Sequence, residues 1–129
     1  MSREDRIPKP HRTNGTLFDI GRFCQRLLST ANKTTYEEFV LDYMIQSVIV
    51  LHLIHVGEAS KKLSASFRED HPEIDWAAVI GLRNILVHRY YDIDYKTVWD
   101  IVINNIPRLL DVVSSHLERF GEPDSEAKE

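Results

Sequence analysis

Cysteine is almost missing from this chain: the one thiol, Cys24, has no second cysteine with which to close an intramolecular disulfide or build a cysteine-rich zinc site. That scarcity points to a reducing compartment. The neighbours Phe23 and Leu27 mark Cys24 as a buried structural thiol rather than a reactive one. Glycine and proline are also scarce, with 5 of each in 129 residues, so long stretches are free to be helical. There is no excess of basic charge. Lys and Arg number 16 against 20 Asp and Glu, a formal net charge of −4, which argues against indiscriminate duplex binding while leaving room for a local basic cleft. Nor is there a long apolar run. The most apolar stretch, residues 48–56, contains His52 and His55 and falls far short of the roughly 20 residues needed to span a bilayer. The opening Met1-Ser2-Arg3-Glu4-Asp5-Arg6 is charged, with no apolar core behind it, the pattern expected of a chain without a secretory leader. A cytoplasmic protein with no membrane partner is expected.

What is present is the make-up of one ordinary globular domain: 43% hydrophobic and 28% charged residues. Residues 1–16 mix charges with Pro8, Pro10 and Gly15 and read as a flexible lead-in; residues 121–129 read as a polar, acidic tail. The domain proper spans 17–120. Four helices can be placed in it. The first covers about 17–29, with Ile20, Phe23, Cys24, Leu27 and Leu28 at helical spacing. The second opens on Thr35 and Glu38, which have capping-box spacing, and continues through Val48, Leu51 and Ile54 to about residue 63. Pro72 marks a boundary, after which Asp75 or the residues just before it can cap a third helix through Trp76, Val79, Ile80, Ile85 and Leu86. Asp94 caps a fourth, whose stripe is Val98, Ile101, Val102, Ile106, Leu109, Leu110, Val113 and Leu117, with Pro107 expected to kink it. No stretch alternates in the manner of a strand. The fold class is therefore all-α, an up-down four-helix bundle. Residues 48–56 are apolar nearly all round, which fits either a central helix or a self-association surface.

Most of the histidines are weak signals. His52 and His55 are close enough on a helix to share a metal, with Glu58 nearby, but they sit in an apolar stretch without a second ligand pair, so buried, hydrogen-bonded histidines are expected. His11 falls in the lead-in, His71 in a turn before Pro72, and His116 on the solvent side of the last helix. His88 differs in its company: Arg83, Asn84, Arg89, Tyr90, Tyr91, Asp92 and Asp94 all lie near it, at the end of an apolar helix. Asn84 and His88 are one turn apart and share a face. Arg83 and His88 are separated by about 140° at roughly 100° per residue, so one straight helix does not aim both at one atom. A bend, the reach of arginine, or a second copy across a dimer axis could unite them. The bland alternative is that Arg83 and His88 tie the third helix to the fourth through Asp92 or Asp94. Gly57-Glu58 suggests close helix packing and a buried or interfacial contact rather than catalysis.

The string Arg83-Asn84-Ile85-Leu86-Val87-His88-Arg89-Tyr90 resembles the R-x-x-x-x-H-x-Y signature of HepT toxins of the HEPN superfamily. Three flanking segments resemble the family in the same order: residues 54–59, residues 67–76, and residues 98–107. The resemblance covers about 18–120. It implies a homodimeric HEPN-type bundle and a metal-independent endoribonuclease that needs no cofactor, with Arg83 and His88 as catalytic residues. Cleavage would run by attack of a 2′-hydroxyl on the adjacent phosphorus, with His88 taking the proton and arginine steadying charge on the phosphoryl oxygens. Asn84 would support the imidazole or the phosphate, and Arg89 would bind substrate.

The resemblance also implies a toxin–antitoxin system of the type II or type VII kind. The RNA-cutting toxin would be neutralised by a minimal nucleotidyltransferase antitoxin that transfers AMP to Tyr90. Negative charge beside Arg83 and His88 would then occupy the phosphate site. Tyr91 is the less favoured acceptor and is expected to pack with Tyr95 and Trp99. Two other readings stay open: a non-catalytic HEPN module that binds a nucleotidyltransferase, and a structural helical bundle that oligomerises through its apolar surface.

Overall fold

The computed structural model describes residues 10–121, and side chains from Thr13 onward. Every regular element among the described residues is helical. In chain order these are α1 (Pro10–Ala31), α2 (Tyr36–Phe39), α3 (Tyr43–Lys62), α4 (Ala65–Asp70), α5 (Trp76–His88) and α6 (Tyr95–Phe120), with a single 3-10 turn, Tyr90–Asp92, between the last two. No helix among the described residues is long and apolar enough to cross a membrane.

The caps explain where most of these helices begin. Thr35 Oγ1 accepts from the Glu38 N–H at 3.1 Å while Glu38 Oε1 accepts from the Thr35 N–H at 3.2 Å, so the expected capping box forms. It caps only one turn, however. Phe39 is fully buried, with Tyr95 and Trp99 at ring-centroid distances of 5.6 and 5.2 Å. The chain then breaks, and Asp42 opens α3 by accepting from the Met44 and Ile45 N–H groups at 2.9 and 3.3 Å. One expected helix is therefore two, because a second capping side chain captures the backbone that would have continued it. Asp75 caps α5 through the Ala78 N–H at 3.0 Å, and Asp94 caps α6 through the Lys96 and Thr97 N–H groups at 3.1 and 3.5 Å, as their sequence positions suggest.

The first helix starts at Pro10 rather than near Leu17, so the lead-in is helical from residue 10; residues 1–9 and 122–129, where the remaining tail expectations fall, lie outside the described residues. Proline suits a first helical turn, where its missing N–H has no intrahelical partner to lose. The added turns are anchored by Asn14, 3% exposed, whose Nδ2 donates to the Phe120 carbonyl at 3.3 Å and satisfies one of the orphan acceptors at the end of α6. The short helix α4 was not legible in the sequence. Ser64 caps it, Phe67 buries, and the Trp76 indole N–H reaches back to the Arg68 and His71 carbonyls.

The core runs through all of these helices. From α1 come Leu17, Ile20, Cys24 and Leu27; from α3, Ile49, Leu53 and Val56; from α5, Val79, Leu82 and Leu86; from α6, Val98, Val102, Ile106 and Leu109. Helix α1 packs against both α3 and α6, α5 packs chiefly on α3, and α6 continues as a helix through Pro107. On α6, Val112 buries and Leu110 is only partly covered. Cys24 is fully buried, and burial pushes its thiol up to about 12. It should resist alkylation by iodoacetamide at pH 8 in the native protein and react at once in denaturant; rapid native labelling would show that this part of the core opens.

Two histidine expectations need correction. His116 is not on a solvent face: it is partly buried between Phe67 and Phe120, and its Nδ1 has no hydrogen-bond partner among the described residues. Burial, then the fields of His71 and Arg119, hold its pKa below the usual histidine value. His52 Nδ1 pairs with the Val48 carbonyl at 2.7 Å, but His55 is exposed and stacked on Phe23 at 4.8 Å rather than buried.

Candidate functional site

Helix α5 carries Arg83, Asn84 and His88, and its last turn runs into Arg89 and the Tyr90–Asp92 turn. Its apolar face, Trp76, Val79, Leu82 and Leu86, is buried. That fixes the rotation of the helix about its axis and so decides where each polar side chain points. Arg83 falls at the edge facing α3, and its side chain is 15% exposed. His88 falls on the exposed side, and its side chain takes part in no hydrogen bond or ion pair among the described residues.

Arg83 is the best-anchored polar side chain in this region. One terminal nitrogen, Nη2, donates to Glu58 Oε1 on α3, and the other, Nη1, donates to Asn84 Oδ1 at 2.8 Å. The hydrogen bond from Arg83, with smaller contributions from Arg83, Lys61 and Lys62 charge, holds the Glu58 carboxyl below the usual carboxylate range. Gly57, buried on α3, makes the approach possible. A Cβ built on it would overlap the Arg83 Cβ, lie 2.8 Å from the Arg83 Cγ and 3.3 Å from the Val79 carbonyl oxygen. The close helix packing expected of Gly57 is thus present, and the group it admits is the stem of Arg83.

Asn84 shares a helix face with His88 but has its amide oxygen on Arg83. Arg89 pairs with Asp92 at 3.0 Å across the 3-10 turn, both side chains well exposed. Asp94 is occupied as the cap of α6: hydrogen bonds from the Thr97 side chain and backbone hold its carboxyl below the usual range. Neither acid touches Arg83 or His88, so the tie between helices through Asp92 or Asp94 is not the arrangement found. Tyr90 and Tyr91 are 73% and 77% exposed and meet each other edge to face at 5.9 Å. Tyr91 does not pack with Tyr95 and Trp99; those two rings face Phe39 and Tyr36 instead. The turn that Arg89 and Asp92 close carries both tyrosines outward.

A model of the HepT-like ribonuclease family matches residues 20–116, a span that includes α5 and the whole Glu58–Arg83–Asn84 arrangement. The chain belongs to the HepT-like family. Among its relatives, a Methanocaldococcus jannaschii protein named as an RNase is 36% identical over 93 residues, 72% of this chain and 85% of that one. A Caldanaerobacter subterraneus protein also named as an RNase is 30% identical over 114 residues, 88% of this chain and 97% of its own length. A Thermococcus cleftensis protein named as a HepT ribonuclease is 31% identical over 93 residues. No solved structure matches the chain. The arginine-to-histidine spacing of this HepT-like chain lies on one helix, five residues apart, with the arginine held against α3 and the histidine in solvent. Glu58 was not singled out as a site residue from sequence. The available signal was the glycine before it in the middle of a helix, which costs about 1 kcal/mol relative to alanine and so asks for a packing reason.

Proposed function

We propose that this HepT-like chain is a metal-independent endoribonuclease that acts as a homodimer, with Arg83 and His88 as its catalytic residues. The observation that carries the reading is the disposition of α5: a guanidinium anchored by Glu58 and Asn84 and an unengaged imidazole on one helix, neither tied to Asp92 or Asp94. A neutral imidazole can take the proton of an RNA 2′-hydroxyl as that oxygen attacks phosphorus. The new 2′-O–P bond forms, the bond from phosphorus to the 5′-oxygen breaks, and the departing oxygen receives a proton from an imidazolium or from water. A guanidinium holding the non-bridging oxygens stabilises charge as it builds. The products are a 2′,3′-cyclic phosphate and a 5′-hydroxyl.

Arg83 and His88 point to different sides of α5, so the reading calls for a second copy that would bring one chain's imidazole near the other's guanidinium. Ile85, Val87, Tyr90 and Tyr91 form an exposed apolar group around His88, at 42%, 37%, 73% and 77% exposure, and a partner helix would cover them. Arg89 would track the RNA backbone, and Asn84 would hold Arg83. In the toxin–antitoxin setting, a nucleotidyltransferase would move AMP from ATP to the Tyr90 hydroxyl, releasing pyrophosphate and placing a charged group over the site. The exposure of Tyr90 leaves its hydroxyl open to such a transfer, a property that Tyr91 shares.

Purified protein should cut single-stranded RNA in EDTA and leave 2′,3′-cyclic phosphate ends. In parallel, the intact mass should rise by one AMP, mapped to Tyr90, when the protein is made with a nucleotidyltransferase encoded beside it. No cutting, together with a tight complex with that enzyme, would favour a non-catalytic binding module instead.

A further inference from the structure

We propose that Glu58 is a positioning residue for Arg83, its carboxylate fixing the guanidinium in the orientation that meets the scissile phosphate; this rests on the ribonuclease reading above. Three independent constraints fall on one side chain. The Arg83 stem lies against the bare backbone of Gly57, Nη2 is held by Glu58, and Nη1 is held by Asn84. A guanidinium is a planar fork of five N–H donors, two on each terminal nitrogen. Using one N–H of each terminal nitrogen on Glu58 and Asn84 leaves a second on each, enough to grip two phosphoryl oxygens. Donors already fixed in place need no reorganisation when charge develops.

Glu58 is drawn from α3, 25 residues before Arg83, so it steadies the arginine from a different helix than the one that carries it. Its side chain is 42% exposed, which places the ion pair at the rim of the helix packing, where RNA can approach. A carboxylate beside the guanidinium also cancels part of the charge that RNA would feel. The two roles therefore predict opposite signs. If Glu58 only competes with phosphate, removing it improves the enzyme. If it positions Arg83, removing it harms turnover even though the site becomes more positive.

The experiment is steady-state cleavage of a 5′-labelled, mixed-sequence oligoribonucleotide by the full chain and by Glu58→Ala and Glu58→Gln, each checked for folding by circular dichroism. Glu58→Ala should lose on the order of 10²-fold in kcat, the penalty of a misplaced catalytic group, with KM moved far less. Glu58→Gln keeps an acceptor without the charge and should recover part of that loss. In the unaltered protein, the Arg83 Nη–H signals, assigned by their disappearance in Arg83→Lys, should show slowed rotation of the guanidinium by NMR. An unchanged or faster Glu58→Ala enzyme, or freely rotating Arg83 Nη groups, overturns the proposal while leaving the ribonuclease reading intact. A full chain that cuts no RNA overturns both.

Discussion

His88→Ala should remove RNA cleavage by a factor on the order of 10² to 10⁴, the range over which a positioned general base contributes. The fold should hardly notice. The His88 side chain is exposed and makes no hydrogen bond or ion pair among the described residues, so its loss leaves stability within about 0.5 kcal/mol. Arg83→Ala should cost a comparable factor for a different reason, since it removes the donors that stabilise charge on phosphorus, worth roughly 10² to 10³ in similar sites. Glu58 is nearly half exposed and is rehydrated when its partner goes, so this variant should also fold. Because the two residues act in one step, the double variant should be little worse than either single one. Gel assays of all three in EDTA, beside their melting curves, make the check. Full activity in either folded single variant would move the chemistry elsewhere in the molecule.

Gly57→Ala should be harmful although alanine is the better helix former. Helix propensity favours the change by about 1 kcal/mol. Against it stands a Cβ that would overlap the Arg83 Cβ, an atom fixed to the backbone and unable to swing aside as a side-chain tip can. Overpacking of this kind costs about 1 to 3 kcal/mol, so a net loss of about 1 kcal/mol is expected. The larger consequence is geometric. Helix α5 must retreat from α3, which draws Arg83 away from Glu58, and a displacement near 1 Å can lower turnover about 10²-fold. Thermal melting and cleavage assays on the same sample test both parts. A variant that melts no lower than the parent and cuts as fast would show that α3 and α5 need not approach so closely.

The division between what could be read from the amino acids and what could not follows the range of the interaction. Thr35 with Glu38, Asp75, and Asp94 cap helices within three residues of themselves, and such contacts are written in the local order of residues. The break after Phe39 was hidden because the apolar pattern runs on past it. Only burial of Phe39 against Trp99, sixty residues later, together with capping by Asp42, stops the helix. The first turns of α1 are secured by Asn14 reaching Phe120, a contact no local pattern can announce. The same logic governs the site. Arg83, Asn84 and His88 could be grouped from one helix, whereas Glu58 joins them only through the packing of α3 on α5. Proximity in sequence groups Tyr91 with Tyr95 and Trp99, but the turn closed by Arg89 and Asp92 directs it outward.

The station of α1 between α3 and α6 has a bearing on how the molecule is made. A ribosome releases α1 first and α6 last, and the bond from Asn14 to Phe120 spans 106 positions of chain. Helices α3 and α5 can dock soon after they emerge, since few residues separate them. Leu17, Ile20 and Leu27, on a helix that packs against α6 as well as α3, must wait for a segment not yet synthesised. A nascent chain halted before α6 would therefore present a bare apolar ridge to chaperones, while its Arg83–Glu58 clasp could already be closed.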